Sequence, residues 1–393
     1  MLSAEHRAIV KATVPLLESG GEALTTHFYA LMLKEAPEVR PLFNQAHQAS
    51  GAQQRALANG VLMYARHIDQ LEQLSGLVSQ IINKHVALNI LPEHYPIVGR
   101  YLLRAIREVL GAEIASDAVI EAWGAAYQQL ADLLIGLEEK IYSEKESAHG
   151  GWRGTRAFRV VRKIRESDEI TSFYFRPVDL GPLLEFHPGQ YIGLRLEIDG
   201  EEVRRNYSLS AAPNGLEYRI SVKCEPKGKV SNYLHNQIEV GDEIDLLPPS
   251  GDFRLEHNDR PLVLISGGVG ITPTLAMLQA AIGTHRPVHF IHSARHGGVH
   301  AFRHTIENLA AEHPQLKHYF CYEQRRDQDP EVHGFGHLTE ALLEQWLPDT
   351  RDVDAYYLGP VPFMRAVKKH LKALGVPESQ SRHEFFGPAS ALD

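Results

Sequence analysis

Residues 262–273 read LVLISGGVGITP. The apolar run LVLI is too short for a helix and rich in strand formers, so it predicts a buried strand. Three glycines at 267, 268 and 270 then make a turn, and ITP opens a helical pattern. Pro273 sits in its first turn, where a missing N–H costs little. A strand, a glycine turn and a helix in this order form the repeating unit of a doubly wound sheet. The glycines let the backbone approach a pyrophosphate, and the helix N-terminus offers N–H groups to bind it. Alone the motif is weak, because a glycine turn that binds nothing reads the same way.

Working outward, VHFIH at 288–292 and AYYL at 355–358 are further apolar runs set between helical segments, as in a parallel sheet covered on both faces. An α/β unit over 258–393 follows. Upstream the apolar period becomes two, as in YIGLRLEI at 191–198 and LEYRISVK at 216–223. Short alternating strands broken by Pro and Gly predict a small antiparallel barrel over 155–257. The polar, Gly-rich stretch SEKESAHGGWRG at 143–154 reads as a linker.

Residues 1–142 read as helices almost throughout, with breaks expected at Pro37 and Pro41, at Pro92 and Pro96, and at Gly111. Leu74, Leu77, Val78, Ile81 and Leu88 recur at helical spacing, and His85 falls on the same seam. The last helix carries Ile120, Trp123, Tyr127, Leu130, Leu134 and Leu137, with Glu138 following. An all-helical module of globin size results.

Composition narrows the function. The chain has 393 residues, 44% of them hydrophobic, which is too long for one ordinary core. A net charge of −9, with no basic run interleaved with aromatics, argues against nucleic acid as a partner. The start MLSAEHRAIV has no signal-peptide pattern, and no stretch reaches the roughly 18 apolar residues of a membrane span. A cytoplasmic protein is expected. Two cysteines, Cys224 and Cys321, are too few for an iron–sulfur cluster.

Four further motifs surround the glycine turn. HPGQY stands at 187–191, RNYS at 205–208, GKVSNYL at 228–234 and EFFGP at 384–388. Arg205 can pair with a phosphate, Tyr207 can lie against an aromatic cofactor ring and the Ser208 hydroxyl can reach a ring atom. Each residue alone is an ordinary strand residue. Their order resembles the ferredoxin-reductase-like flavoprotein superfamily across 155–393. By that resemblance Tyr191, Arg205, Asn206, Tyr207 and Ser208 contact FAD, and the 228–231 turn lies near its phosphates. Gly268, Val269, Gly270, Ile271, Thr272 and Pro273 would hold NADH or NADPH, and Glu384, Phe385, Phe386, Gly387 and Pro388 would cover the flavin. Many members carry Cys where YYLGP has Leu358, which bears on nicotinamide alignment. Arg295 in HSARHGG is suited to a ribose 2′-phosphate or to plain solvent exposure, and the choice between the two nucleotides stays open.

A lone His on an apolar helix face is more often a core residue than a ligand. Here KHVALNILPEHY at 84–95 resembles the proximal segment of flavohemoglobins, and a helical module ahead of a reductase is that family's architecture. The resemblance covers essentially the whole chain. It implies heme b with His85 as the iron ligand, Glu138 and Tyr95 behind it, and Tyr29 with Gln53 on the distal face. Phe43 would pack on the heme, while Lys84 and Glu384 would tune heme and flavin. The implied activity is nitric oxide dioxygenation, in which NAD(P)H reduces FAD, FAD reduces heme, and NO and O2 become nitrate, two of each per NAD(P)H. A monomer is expected, and whether lipid enters the distal pocket stays open. Two rivals remain: an NAD(P)H-flavin reductase serving a separate acceptor, and a heme-based O2 or NO sensor or carrier.

Overall fold

The computed structural model describes residues 2–43 and 51–386, so Gly387 and Pro388 of the last motif lie outside the described residues. By contacts, the helical residues up to Ser147 group with 199–205, and residues 148–198 with 206–386.

The helical unit contains α1 (Ala4–Ala12), α2 (Val14–Glu35), α3 (Ala52–Arg66), α4 (Ser75–Leu88), α5 (His94–Leu110) and α6 (Asp117–Ser147). Ser3 caps α1, its hydroxyl accepting from His6 N at 3.0 Å. The core packs Phe28 and Met32 of α2 with Tyr64 and Ala65 of α3 and Trp123 and Ala126 of α6. α4 stops at Asn89, which takes the left-handed conformation (φ 55°) and lets Ile90 N bond His85 O at 3.0 Å. α5 ends at Gly111, φ 77°.

Two expectations need correction. Pro96 does not break a helix but lies in the first turn of α5, where no carbonyl awaits its missing N–H. The expected linker 143–154 begins too early, because α6 continues to Ser147. Its polar residues solvate a helix end: Ser143 Oγ donates to Glu139 Oε1 at 3.0 Å and Ser147 Oγ to Ser143 O at 2.8 Å.

The chain beyond Ser147 starts with an antiparallel sheet of β1 (Arg156–Arg165), β2 (Ile170–Pro177), β3 (Tyr191–Ile198), β4 (Glu201–Ser208), β5 (Tyr218–Lys223) and β6 (Glu243–Leu246). Its strand order is β4-β3-β6-β1-β2-β5, and a bridge between Leu209 and Ile220 joins its two ends, closing it as the alternating pattern requires. Phe158, Phe173, Phe175, Ile192, Leu194 and Ile220 point inward and are fully buried. One short helix, α7 (Lys229–Asn236), follows β5.

Next come β7 (Leu262–Gly267), α8 (Ile271–Ala281), β8 (Val288–Ala294), α9 (Arg303–Glu312), β9 (Leu316–Tyr322), β10 (Gly334–Phe335), α10 (Glu340–Trp346), β11 (Asp354–Leu358), α11 (Val361–Ala373) and β12 (Ser381–His383). The strands pair in parallel in the order β10-β9-β8-β7-β11-β12, so the order reverses between β7 and β11. One face packs on α8 and α9 through Leu275, Leu278 and Ile306, the other on α10 and α11 through Trp346, Val367 and Leu371. This is a doubly wound α/β unit. No helix among the described residues is long and apolar enough to cross a membrane.

Candidate functional site

Glu138 is 2% exposed, in the middle of α6. The buried positions Leu134, Glu138 and Tyr142 share one face at four-residue spacing. Leu137, expected on the apolar seam, is 37% exposed instead. A buried carboxylate needs donors, and it has two. Tyr95 O–H donates to Glu138 Oε1 at 2.6 Å, and His85 Nδ1 lies 2.7 Å from the same oxygen. An ionised carboxylate only accepts, so Nδ1 carries the proton and Nε2 presents its lone pair. Burial, and then the bonded Glu138, hold the Tyr95 phenol well above its ordinary value, so it stays a donor.

The backbone around this triad is also held. Tyr127 O–H donates to Tyr95 O at 2.7 Å and Tyr142 O–H to Ile90 O at 2.8 Å, fixing the start of α5 and the exit from α4. Tyr127 and Tyr142 are contributors that the order of residues does not advertise. Both lie on the buried side of α6, and only the hydroxyl of an otherwise apolar residue hints at a bond.

Tyr29 of α2 is 6% exposed and meets Phe43 edge-on at 5.5 Å. Burial raises its phenol, and a hydrogen bond with the Gln53 side chain counters part of that shift. Tyr29, Gln53 and Phe43 therefore come together. Burial outweighs that contact and keeps the Tyr29 phenol protonated. Packed against the cores that contain Tyr29 and Tyr95, the residues Leu57, Val61, Leu77, Val78, Ile81, Ile90, Ile97 and Val98 are only partly buried. So many half-covered apolar residues on packed helices fit a large apolar group, with His85 Nε2 as its donor. Lys84 is partly buried beside His85.

In the second unit, HPGQY forms a turn closed by its own glutamine. Gln190 Oε1 accepts from His187 N at 2.9 Å and Nε2 donates to Gly251 O at 2.9 Å. Tyr191, 8% exposed, bridges to Ser250. A Cβ on Gly251, whose φ is 113°, would come within 2.8 Å of the Tyr191 ring. Burial raises the Tyr191 phenol, with the Glu384 and Asp252 carboxylates adding to it, so Glu384 belongs to the same neighbourhood. On β4, Arg205 and Tyr207 are partly buried, Asn206 is exposed and Ser208 is buried. Gly228 leads into α7, where Ser231 Oγ accepts from Glu225 N at 3.1 Å. The first N–H groups of α7 lack helical acceptors and suit phosphate. Phe385 is partly buried and Phe386 is 49% exposed.

At the strand-order reversal, Gly268 takes φ 55° with open space where a Cβ would stand. Gly270 is tighter, since a Cβ there would lie 2.4 Å from Leu358 O and 3.0 Å from Gly359 N. The turn thus packs on the end of β11 and presents the N-terminus of α8, with Thr272 Oγ1 donating to Val269 O at 3.0 Å. Ile271, Thr272 and Pro273 are buried in that first turn.

Comparison with known proteins agrees with both units. The globin family model matches residues 26–134, the oxidoreductase FAD-binding domain 157–255 and the oxidoreductase NAD-binding domain 264–369. A flavohemoprotein from Burkholderia sp. (strain TH2) is 77% identical over the whole of both chains, and one from Pseudomonas putida is 71% identical over the same extent. A flavohemoglobin from Malassezia yamatoensis, solved with bound FAD and heme, is 28% identical and superposes with a TM-score of 0.86, over 98% of this chain and 100% of that one. The flavohem-like FAD/NAD-binding domain of a nitric oxide dioxygenase from Vibrio cholerae is 38% identical, with a TM-score of 0.56 over 60% of this chain and 100% of that domain.

Proposed function

The chain belongs to the flavohemoprotein family, and from that premise we propose that it is a nitric oxide dioxygenase, drawing electrons from NAD(P)H to convert NO and O2 to nitrate in the cytoplasm. The observation that carries the reading is the buried Glu138 carboxylate shared by His85 Nδ1 and the Tyr95 hydroxyl. A plain reductase has no use for a histidine oriented in this way. When bound, heme b supplies O2 binding and one-electron chemistry, FAD splits hydride into single electrons, and the nicotinamide donates that hydride.

The residues divide the work. His85 would hold the iron through Nε2. Glu138 and Tyr95 are positioning residues that fix its ring and tautomer and raise its basicity. Phe43 and the half-buried apolar residues would exclude water from the heme, and Lys84, next to His85 in the chain, would tune it. Tyr29 O–H would donate toward O2 on the distal side, with Gln53 beside it. Over 155–257, Tyr191, Arg205, Asn206, Tyr207 and Ser208 would hold the flavin, with Glu384, Phe385 and Phe386 beside it and the α7 N-terminus at its phosphates. Over 258–393, Gly268 to Pro273 would hold the nucleotide pyrophosphate.

The test is direct. Purified protein should show heme Soret and flavin bands together and should consume NO in an O2- and NAD(P)H-dependent way. Flavin without heme, after expression with ample heme, would overturn the assignment in favour of the plain reductase.

A further inference from the structure

Arg295 is the first residue beyond β8. The register of the parallel sheet pairs Ser293 with Gly267, where the glycine turn begins, so the chain leaving β8 runs beside that turn on the side away from β11. In a doubly wound sheet carrying a dinucleotide, the end of the neighbouring strand reads the adenosine ribose. A carboxylate there accepts the 2′-hydroxyl of NAD, whereas an Arg meets the 2′-phosphate of NADP. This chain has both, bonded to each other.

The Arg295 guanidinium donates to Glu169 Oε2, with the Arg side chain 53% exposed and the Glu side chain 18%. Glu169 comes from the connection between β1 and β2, which is fixed here without that ion pair. Asp168 N donates to Gly298 O at 2.8 Å, and Cys224 N donates to Glu169 O at 2.7 Å. Asp329 brings another carboxylate, accepting from Gly297 N at 3.1 Å. Ser293 Oγ and His296 Nδ1 are buried with no hydrogen-bond partner, which leaves polar atoms for a ribose or adenine to satisfy.

We propose that Glu169 is a specificity-determining residue that makes this site select NADH over NADPH, by holding Arg295 in the ion pair and placing a carboxylate where a 2′-phosphate would lie. The inference rests on the reductase reading above. The pair is neutral as a whole, and Asp168 is paired with Arg165 at 3.0 Å, so a doubly charged phosphate gains little from Arg295 while meeting the Glu169 carboxylate. A 2′-hydroxyl suffers no such repulsion and finds an acceptor.

The experiment measures ferricyanide reduction by flavin-loaded full-length protein with NADH and with NADPH. The wild type should have the higher kcat/KM with NADH. Glu169→Gln should raise kcat/KM for NADPH about tenfold, mainly through KM, a factor equivalent to 1.4 kcal/mol of screened charge interaction. Adding Arg295→Ala to Glu169→Gln should cancel that gain. Bound flavin and an unchanged melting temperature report that each variant is folded. The wild type gives an independent reading, because its NADPH/NADH ratio should rise as salt goes from about 0.01 to 1 M and screens the repulsion. An unchanged ratio in Glu169→Gln would overturn the proposal. So would a loss of NADPH use, which would mean that Glu169 orients Arg295 for the phosphate, or a wild type that prefers NADPH. A wild type that oxidises neither nucleotide would instead sink the reductase reading itself.

Discussion

One oxygen of Glu138 takes both His85 Nδ1, at 2.7 Å, and the Tyr95 hydroxyl, at 2.6 Å. Sharing one acceptor ties the imidazole to a phenol whose own backbone carbonyl is held by Tyr127. A charge-assisted bond of this kind is roughly twice as strong as its neutral counterpart. Glu138→Gln keeps the shape but loses the charge, so donation from His85 to iron should weaken. The iron–histidine stretching frequency of the reduced, ligand-free protein should fall, and an unchanged frequency would show that Glu138 does not act on the iron through His85.

The nucleotide turn offers a comparison between two glycines. Gly270 has backbone atoms of Leu358 and Gly359 within 3.0 Å of where a Cβ would stand, whereas Gly268 has open space and only its φ of 55° against it. Gly268→Ala should therefore cost about 1 kcal/mol of backbone strain. Gly270→Ala should cost about 1–3 kcal/mol by overpacking and should displace the turn, raising KM for the nucleotide more than Gly268→Ala does. Equal KM values in the two variants would show that the packing on β11 does not set the binding geometry.

Much of this architecture can be read along the chain, because the period of apolar residues changes from helical to two at the barrel and to continuous runs in the parallel sheet. Partners distant in sequence are less visible. Glu138 bonds residues 43 and 53 positions earlier, and Glu169 meets Arg295 across 126 positions. Local composition cannot report such pairs, which is why Leu137 looks as apolar as Leu134 yet is exposed while the charged Glu138 is buried. The end of α6 misleads for a related reason: Ser, Glu and Lys mark solvent exposure, and an exposed helix end and a linker share it. Pro96 shows the limit of a breaker rule applied without knowing where a helix begins.

His292 of β8 is fully buried beside Ser266, with Nδ1 2.8 Å from Ser266 Oγ, and burial pushes its pKa down to about 3. Its folded value lies below the ordinary 6.5, so the unfolded chain binds the extra proton between those limits. The stabilising contribution is fully present above pH 6.5 and is lost as pH falls towards 3, by about 1.4 kcal/mol per pH unit for one proton. Thermal unfolding of His292→Asn followed from pH 7 to 4 should show a shallower acid slope than the wild type. Identical slopes would mean that His292 takes up no proton on unfolding in this range.

His85, Glu138 and Tyr95 all belong to the helical unit, whereas the glycine turn and its strand belong to the other. His85→Ala should therefore abolish stable heme retention and NO consumption while NAD(P)H-to-ferricyanide reduction continues. Loss of both activities in a folded, flavin-loaded variant would contradict independent function of the two units.

In the proposed site Tyr29 is the distal hydroxyl, and burial raises its pKa and keeps its proton in place. Oxygen bound to the heme there would carry partial negative charge and so lie between a neutral and a charged acceptor. Bonds to these contribute about 0.5–1.5 and 1.5–3 kcal/mol respectively. Tyr29→Phe removes the donor and keeps the ring against Phe43, so O2 release from the reduced protein should speed up by roughly ten- to a hundred-fold. NO consumption at limiting O2 should fall accordingly, while flavin reduction by NAD(P)H, which runs through the other unit, should not change. Stopped-flow O2 dissociation decides the matter. An off-rate equal to that of the wild type would show that the Tyr29 hydroxyl does not hold the oxygen, and the Gln53 amide would become the residue to test next.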